Sequence, residues 1–372
     1  MKVMATFDAL VRGTGIVGQS LALALARHGL RVALKAESNR PAGAEDVRAY
    51  ALNAGSVALL STFKVWDALP PGSATPVYDM RVHGDAPGAL LEFSAWQQQV
   101  AELAWIVDAA VLERELAAAV RFAPHVSLVD GDVPATLTAL CEGKASSTRE
   151  ALGVQFDTHD YGHLGLAARL TASRPHQGVA WQWFRSPDVL ALLPFDTPLA
   201  DSSYALVWSC PLARAQALLA LDAAAFELEL MQASGGAAGT LRLASERAAW
   251  PLMRAHAQTW CGPGWVLLGD AAHVVHPLAG QGLNLGLADV AALTDIIASR
   301  EPWRPLDDPK LLRRYMRRRL MPTLAMGGMT DGLLRLFSPE TPAVRELRNR
   351  GLTLVNHLSP VKRWLAARAL NS

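Results

Sequence analysis

Cysteine is scarce: three residues among 372, at positions 141, 210 and 261. Three thiols so far apart exclude a disulfide framework and a metal knuckle, and they read as buried, reduced side chains. No uninterrupted apolar run approaches the roughly 18 residues a membrane-spanning helix needs. Met1 to Val11 lacks a basic region followed by a long apolar stretch, which argues against a secretory signal. Internal repeats, low-complexity tracts and long linkers are also missing. Charge is sparse, at 19% of residues against 51% hydrophobic. That balance is too apolar for a disordered chain and too interrupted by charge for an integral membrane protein. A globular, cytoplasmic protein remains, long enough for about two to three domains.

The net charge of +1 conceals an asymmetry. From Lys310 to Ser372 there are thirteen basic and three acidic residues, leaving 22 basic against 31 acidic elsewhere. A basic tail on an acidic body points to a polyanionic partner, with a lipid surface favoured over nucleic acid. The cluster Arg313, Arg314, Arg317, Arg318, Arg319 lacks the interleaved aromatics of a nucleic-acid platform. A solvated basic helix face is the plain alternative. Leu333, Leu334, Leu336 and Phe337 add an apolar stretch that would insert beside the arginines at an anionic membrane.

Phe7 to Val11 is a short apolar run closed by Gly13, as expected of a buried parallel strand. A helical pattern follows from Gly18 to His28, then a strand over Arg31–Leu34, completing a βαβ unit. Asp46 to Leu69 and Ile106 to Val120 have helical spacing, and Val126 to Val129 reads as a strand. Alternating segments over 78–93 and 164–208, among them 178–184 and 203–208, predict a largely antiparallel second sheet. Trp265 to Leu268 returns to the parallel type, and the last 60 or so residues read as helix broken by Pro322, Pro339, Pro342 and Pro360.

Two glycine-rich turns carry the chemistry. Gly13-Thr14-Gly15-Ile16-Val17-Gly18 follows a strand and opens a helix, the arrangement that lets a pyrophosphate approach free backbone N–H groups. Glu37, just past the second strand, is the nearby acidic candidate for a ribose contact. The second turn runs from Gly269 to Gly286. Asp270 at its strand end offers a carboxylate to a polyol chain. Pro277 to Gly282 permits close backbone approach, and the helix expected from Leu283 presents free donors to a ring that becomes anionic on reduction. A nicotinamide dehydrogenase does not need this second turn.

Residues 269–286 resemble the second flavin motif of p-hydroxybenzoate-hydroxylase-type FAD monooxygenases, specifically their ubiquinone-biosynthesis hydroxylases. Asp46-Val47-Arg48-Ala49-Tyr50-Ala51-Leu52, Tyr161-Gly162-His163, Arg174-Pro175-His176 and Leu192-Leu193-Pro194 extend the resemblance over nearly the whole chain. It implies an α/β FAD-binding Rossmann-like domain with an inserted antiparallel-sheet substrate domain and a helical C-terminal tail. The boundaries expected are 1–75, 100–160 and 245–309 for the FAD domain, 76–99 and 161–244 for the sheet, and 310–372 for the tail. By the same resemblance Asp270 binds the ribityl chain. Gly280, Gln281, Gly282, Leu283 and Asn284 cradle the isoalloxazine, and Arg48 lies near it. A motif shared by FAD and nicotinamide binding reads here Glu142-Gly143-Lys144-Ala145-Ser146-Ser147-Thr148-Arg149, with glutamate in place of aspartate. The small meander that relatives place before it is reduced to Asp130–Thr138.

The activity implied is hydroxylation of a polyprenyl phenol ring with dioxygen and NAD(P)H, the FAD carrying the chemistry, so no catalytic triad is expected. Contact with a ubiquinone-biosynthesis complex is a further implication. Hydroxylation of another aromatic compound, and a non-catalytic FAD-binding subunit, stay open as alternatives. Asp270, His273 and His276 have ligand-type side chains, but the turn at His276-Pro277 argues against a shared metal, and none is expected. Trp181-Gln182-Trp183 superficially matches a flavin-halogenase motif, but Phe184-Arg185-Ser186-Pro187 breaks it and strand packing explains both rings.

Overall fold

The computed structural model of the chain describes residues 7–36, 46–85, 88–276 and 280–337. Glu37, Pro277, the prolines beyond 337 and the side chains of Leu333, Leu334, Leu336 and Phe337 lie outside these residues.

The nucleotide-type sheet has six strands, in the order Cys261–Gly262, Trp265–Leu267, Ala135–Leu140, Phe7–Arg12, Val32–Lys35, Val126–Val129. All neighbours after the short first pair run parallel. Phe7–Arg12 is central because its apolar run is covered on both faces: Ala9 and Val11 are fully buried. The N-terminal helix, Ile16–Arg27, packs on it through Leu21 and Leu25, both at 0% exposure, each contributing about 2 kcal/mol by burial. Against the helix also lies Gln281–Ala298, the second-turn helix.

The larger sheet follows the path His273–Val274, Ala248–Ala257, Phe156–Ala172, Ser203–Pro211, Asp188–Phe195, Val179–Arg185, Asp79–His83, Leu90–Ser94, with Leu241–Leu243 pairing beside Phe156–Ala172. Helices Leu212–Ala220 and Ala223–Ser234 cover one face, over Leu166, Leu170, Leu206 and Trp208. Trp181 and Trp183 stack on that face with ring centroids 5.8 Å apart, the period-2 packing expected of them. The other face turns toward a small three-stranded sheet of Ala49–Leu52, Ala104–Asp108 and Ala74–Val77. On it Ala167, Val207, Ala191 and Gln182 form one cross-strand row. Arg169 extends from this face, donating to the Arg48 carbonyl at 2.9 Å and the Asp108 carboxylate at 3.1 Å.

Two expected helices are shorter than their patterns. Asp46–Leu69 begins with the strand Ala49–Leu52, which pairs antiparallel with Trp105–Asp108, and the helix starts only at Ala54, where Asn53 caps the Ser56 N–H. Ile106 and Val107 belong to the strand Ala104–Asp108, and the helix Ala109–Phe122 is started by Asp108 capping Val111. In both cases an apolar residue before a capping side chain fits strand or helix, and cross-strand pairing decides. The second-turn helix likewise begins two residues before the expected Leu283, at Gln281.

The C-terminal helix, Pro309–Phe337, contains Pro322. It removes Arg319 from the exposed cluster on which both the lipid-surface and the solvated-face readings rest. Arg313, Arg314, Arg317 and Arg318 are exposed, but Arg319 is 7% exposed and paired with Asp289. No helix among the described residues is long and apolar enough to cross a membrane.

Candidate cofactor site

The first glycine turn shows which of its residues serve the fold. Gly13 has φ +108°, and a Cβ there would lie 2.3 Å from the Cys141 carbonyl oxygen. A Cβ on Gly18 would lie 1.9 Å from the Gly13 carbonyl oxygen. Both positions are closed by backbone. At Gly15 an added Cβ meets nothing within 4 Å. Gly15 is also the N-cap of the N-terminal helix, with no side-chain cap and no acidic residue in the first turn. Its N–H groups therefore face open space with the positive end of the helix dipole. Ile16 is buried. Val17 is the wedge between the two turns, for a Cβ on Gly286 would come within 2.7 Å of its methyl group.

Glu142 lies two residues past the end of the strand Ala135–Leu140, next to that turn, and its carboxylate is filled. It accepts from Arg12 Nε at 2.6 Å, Thr148 Oγ1 at 2.7 Å, the Thr148 N–H at 3.3 Å and the Ser146 hydroxyl. Burial opposes its charge, but the Ser146, Arg12 and Thr148 donors win and hold its pKa below the ordinary carboxylate range. Ser146 in turn caps the Arg149 N–H of helix Ser147–Ala151. Arg149 is 2% exposed, lies 3.6 Å over the Phe156 ring and donates to the carbonyls of Ala271 and Lys144. Gly143, at φ +75°, makes the bend between them. These four residues thus form a hydrogen-bonded clamp reaching the second turn.

Asp270 is the opposite case. It sits in the short helical turn Gly269–Ala271, with its side chain exposed. Among the described residues no hydrogen bond reaches its carboxylate. The surrounding protein nonetheless strips enough water to push its pKa above the usual value, with His273, Lys144 and Arg48 pulling it partly back. An accessible carboxylate that is desolvated and unpaired is poised to accept donors from a ligand.

The second turn enters its helix through Gly280, at φ +62°, again with no side-chain cap and no acidic first turn. At Gly282 an added Cβ meets nothing within 4 Å. Asn284 is committed to the protein. Its Oδ1 accepts from the Asn53 N–H at 3.0 Å and Ser56 Oγ at 2.8 Å, while Nδ2 donates to Ala51 O at 2.8 Å and Gln281 Oε1 at 3.2 Å. Leu283 is half-buried against the core. The backbone of 280–283, rather than these side chains, is what the turn presents. Arg48 is half-buried and bonded to Asp46 through Nε at 2.8 Å and Nη2 at 2.6 Å, a pairing that raises its pKa. Its guanidinium is close enough to stabilise the Asp270 charge, so the structure brings both to one place.

Sequence reasoning missed Arg12, Arg169 and Asp289, and it grouped Arg319 with the basic cluster of the tail. For Arg169 and Asp289 the signal was a lone charge inside an apolar segment: Arg169 in a strand beside Leu166 and Leu170, Asp289 within Leu285-Gly286-Leu287-Ala288-Asp289-Val290. His273 turns Nε2 to Asp289 at 2.6 Å, while the His276 ring lies 5.0 Å from that of Tyr161. A cavity of about 330 Å³ lined by Arg81, Trp181 and Tyr204 opens on the helix-covered face of the large sheet, away from both glycine turns.

A parallel nucleotide sheet with two uncapped, glycine-started helices at one end, roofed by a second sheet, defines an FAD-binding flavoprotein fold. The chain belongs to the FAD binding domain family, whose model matches residues 117–324. It is 31% identical to the ubiquinone hydroxylase UbiL of Rhodospirillum rubrum, over 98% of this chain and 90% of that protein. It is 30% identical to the 3-demethoxyubiquinol 3-hydroxylase of Escherichia coli, over 96% and 97%. Among solved structures it shares its fold with PqsL of Pseudomonas aeruginosa, a probable FAD-dependent monooxygenase, at TM-score 0.76 and 20% identity, covering 93% of this chain and 99% of that one. HpxO of Klebsiella pneumoniae, solved with FAD and uric acid, matches at TM-score 0.74 and 16% identity, covering 97% of each chain.

The residues present fit FAD. Gly15 and Gly282 leave cradles that a Cβ would enter, two helix N-termini without side-chain caps present backbone donors, and Asp270 supplies an open acceptor.

Proposed function

We propose that this chain is a single-component, NAD(P)H-dependent FAD monooxygenase that hydroxylates the aromatic ring of a polyprenylated phenol in ubiquinone biosynthesis. The observation that carries the site is the desolvated carboxylate of Asp270, which has no hydrogen bond among the described residues and sits in a turn packed through Gly269 on Val17 of the first glycine turn. The names of the relatives supply the substrate class.

Bound FAD supplies electron transfer from the nicotinamide and passage of one oxygen atom of dioxygen to the ring. The chain supplies position and exclusion of water. The N–H groups after Gly15 would hold the pyrophosphate, and Gly13 and Gly18 let the turn close around it. Asp270 would accept from the ribityl hydroxyls. The 280–283 backbone would donate to the ring's pyrimidine edge, with Arg48 nearby to favour its anionic form. Glu142, Gly143, Ser146 and Arg149 would brace the turn, the longer glutamate reaching Arg12 and Thr148 together. The row Ala167, Val207, Ala191, Gln182 would roof a cavity suited to a phenol carrying an apolar chain. The FAD domain then comprises 1–75, 100–160 and 245–309, and the substrate sheet 76–99 and 161–244. Glu37 and Pro277 complete the cofactor contacts in this reading.

A polyprenyl phenol resides in a bilayer, so the enzyme is read as cytoplasmic and peripheral on the inner face of the membrane. Exposed Met321 and Leu324 follow exposed Arg317 and Arg318 on the C-terminal helix, and Trp303 is 73% exposed nearby in sequence. Arg314 and Arg318 are partly neutralised by Glu301 and Asp295, leaving Arg313 and Arg317 as the stronger lipid contacts. Neutralising Arg313 and Arg317 should weaken co-sedimentation with anionic vesicles at low salt and leave FAD content normal, at about 1 kcal/mol per charge. Absent or unchanged sedimentation rejects the membrane contact. The function itself is tested by quinone profiling of a strain lacking this chain: accumulation of an under-hydroxylated prenyl phenol is expected, and an unchanged quinone profile rejects it.

A further inference from the structure

The carboxylate of Asp289 has 0% exposure and lies on the buried face of the second-turn helix. Its Oδ2 accepts from the Gly269 N–H at 3.0 Å and meets His273 Nε2 at 2.6 Å. Its Oδ1 accepts from Arg319 Nε at 2.7 Å. Arg319 also donates Nη2 to the Leu285 carbonyl at 3.2 Å. One turn earlier on the same helix, the Tyr315 hydroxyl donates to the Leu267 carbonyl at 2.9 Å. The C-terminal helix therefore grips the last residue of the strand before the turn and, through one carboxylate, the residues on both sides of Asp270.

A buried ion pair contributes little net stability compared with apolar packing, but removing one member leaves the other charge uncompensated. What this pair does supply is direction. With Arg319 on Oδ1, the other oxygen of Asp289 is left for the Gly269 N–H and His273, the two residues that directly flank the 270–272 segment they fix.

We propose that Arg319 is a positioning residue that acts through Asp289 to hold the 269–273 turn so that the Asp270 carboxylate faces the cofactor's polyol chain. The inference rests on the reading of Asp270 as an FAD ligand. It assigns to the C-terminal helix, outside the glycine turns, a part in cofactor binding.

The experiment is an FAD titration of full-length apoprotein, followed by flavin fluorescence, for Arg319→Lys, Asp270→Asn and the double variant. Lysine keeps the charge but loses the planar fork that serves Asp289 and Leu285 together. Each single variant should weaken FAD binding by about tenfold, the size of coupling usual for bonded neighbours. The double variant should bind no more weakly than Asp270→Asn, because a misplaced Asp270 costs nothing once it is gone. The visible circular dichroism of bound flavin should change in Arg319→Lys. Additive losses, or full affinity in Arg319→Lys, overturn the proposal while leaving Asp270 a ligand. Full affinity in Asp270→Asn overturns the ligand reading itself, and the proposal with it. Should Arg319→Lys not fold, Asp289→Asn, nearly isosteric, enters the same cycle with the same expected non-additivity.

Discussion

Glu142 and Asp270 follow the ends of neighbouring parallel strands, yet they serve opposite purposes. Glu142 has its oxygens filled by Arg12, Ser146 and Thr148, and its pKa is held down. Asp270 has no hydrogen bond among the described residues, and the water that the surrounding protein displaces pushes its pKa up. The same contrast separates Gly18, whose missing Cβ is replaced by backbone, from Gly15, whose missing Cβ leaves open space. A group whose valence the protein satisfies is part of the architecture. A group left unsatisfied at a cleft is available to a ligand.

The largest effect should come from the glycine pair. Gly18→Val drives side-chain atoms into the Gly13 carbonyl and should cost about 3 kcal/mol or more, giving little folded protein. Gly15→Val should melt as the wild-type apoprotein does and yet purify without its yellow colour. Equal melting temperatures for the two variants would dissolve the distinction. Next in size, Asp270→Ala should weaken FAD binding by about 1.5–3 kcal/mol, the range for a charge-assisted hydrogen bond. Since the folded surroundings disfavour its charged form, the same change should leave the apoprotein at pH 7 equally stable or more so. A drop in apoprotein stability would mean that Asp270 is already partnered.

Glu142→Gln should move the other way, lowering apoprotein stability by about 1–2 kcal/mol at neutral pH. The sign with pH follows from the depressed pKa. This stabilisation is complete above the ordinary glutamate value of 4.5 and is lost as pH falls through the lowered folded-state value. Melting temperatures of wild type and variant should therefore converge on acidification, and parallel curves would contradict the filled-carboxylate description. The smallest stability effect is expected for Arg48→Ala, under about 1 kcal/mol, because its ion pair with Asp46 is 39% exposed on the arginine side. Its turnover with NAD(P)H should nonetheless fall, and normal hydroxylation would remove Arg48 from the site.

Much of this site was legible in the residues. The first turn announced itself because strand, glycines and helix must occur together for the backbone to make the bend, and 269–286 had the same logic. Where legibility failed, the missing information was tertiary. Ile106-Val107 and Tyr50-Ala51-Leu52 suit a helix face as well as a strand, and only their pairing with each other decides. Arg319 has the same local sequence as Arg317 and Arg318. Its burial depends on helical phase, which places it with Leu312 and Tyr315, and on a carboxylate thirty residues earlier. A motif names its own residues and is silent about what braces them from behind.

The order in which the sheet is assembled has a consequence for how the protein is made. Phe7–Arg12 is synthesised before the other strands of its sheet and lies at the centre, but the strand Trp265–Leu267 that completes the sheet, and the helix that bonds it through Tyr315, emerge more than 250 residues later. At about 5–20 residues per second, the first glycine turn spends tens of seconds on the ribosome without its closing neighbours. Contacts so distant in sequence also fold slowly once the chain is free. Cofactor capture that needs both glycine turns is therefore expected only once residues beyond 280 have emerged. The apolar strands waiting for it are what a chaperone would have to shield, and chains cut short before residue 319 should accumulate in aggregates, not as a pale but folded enzyme.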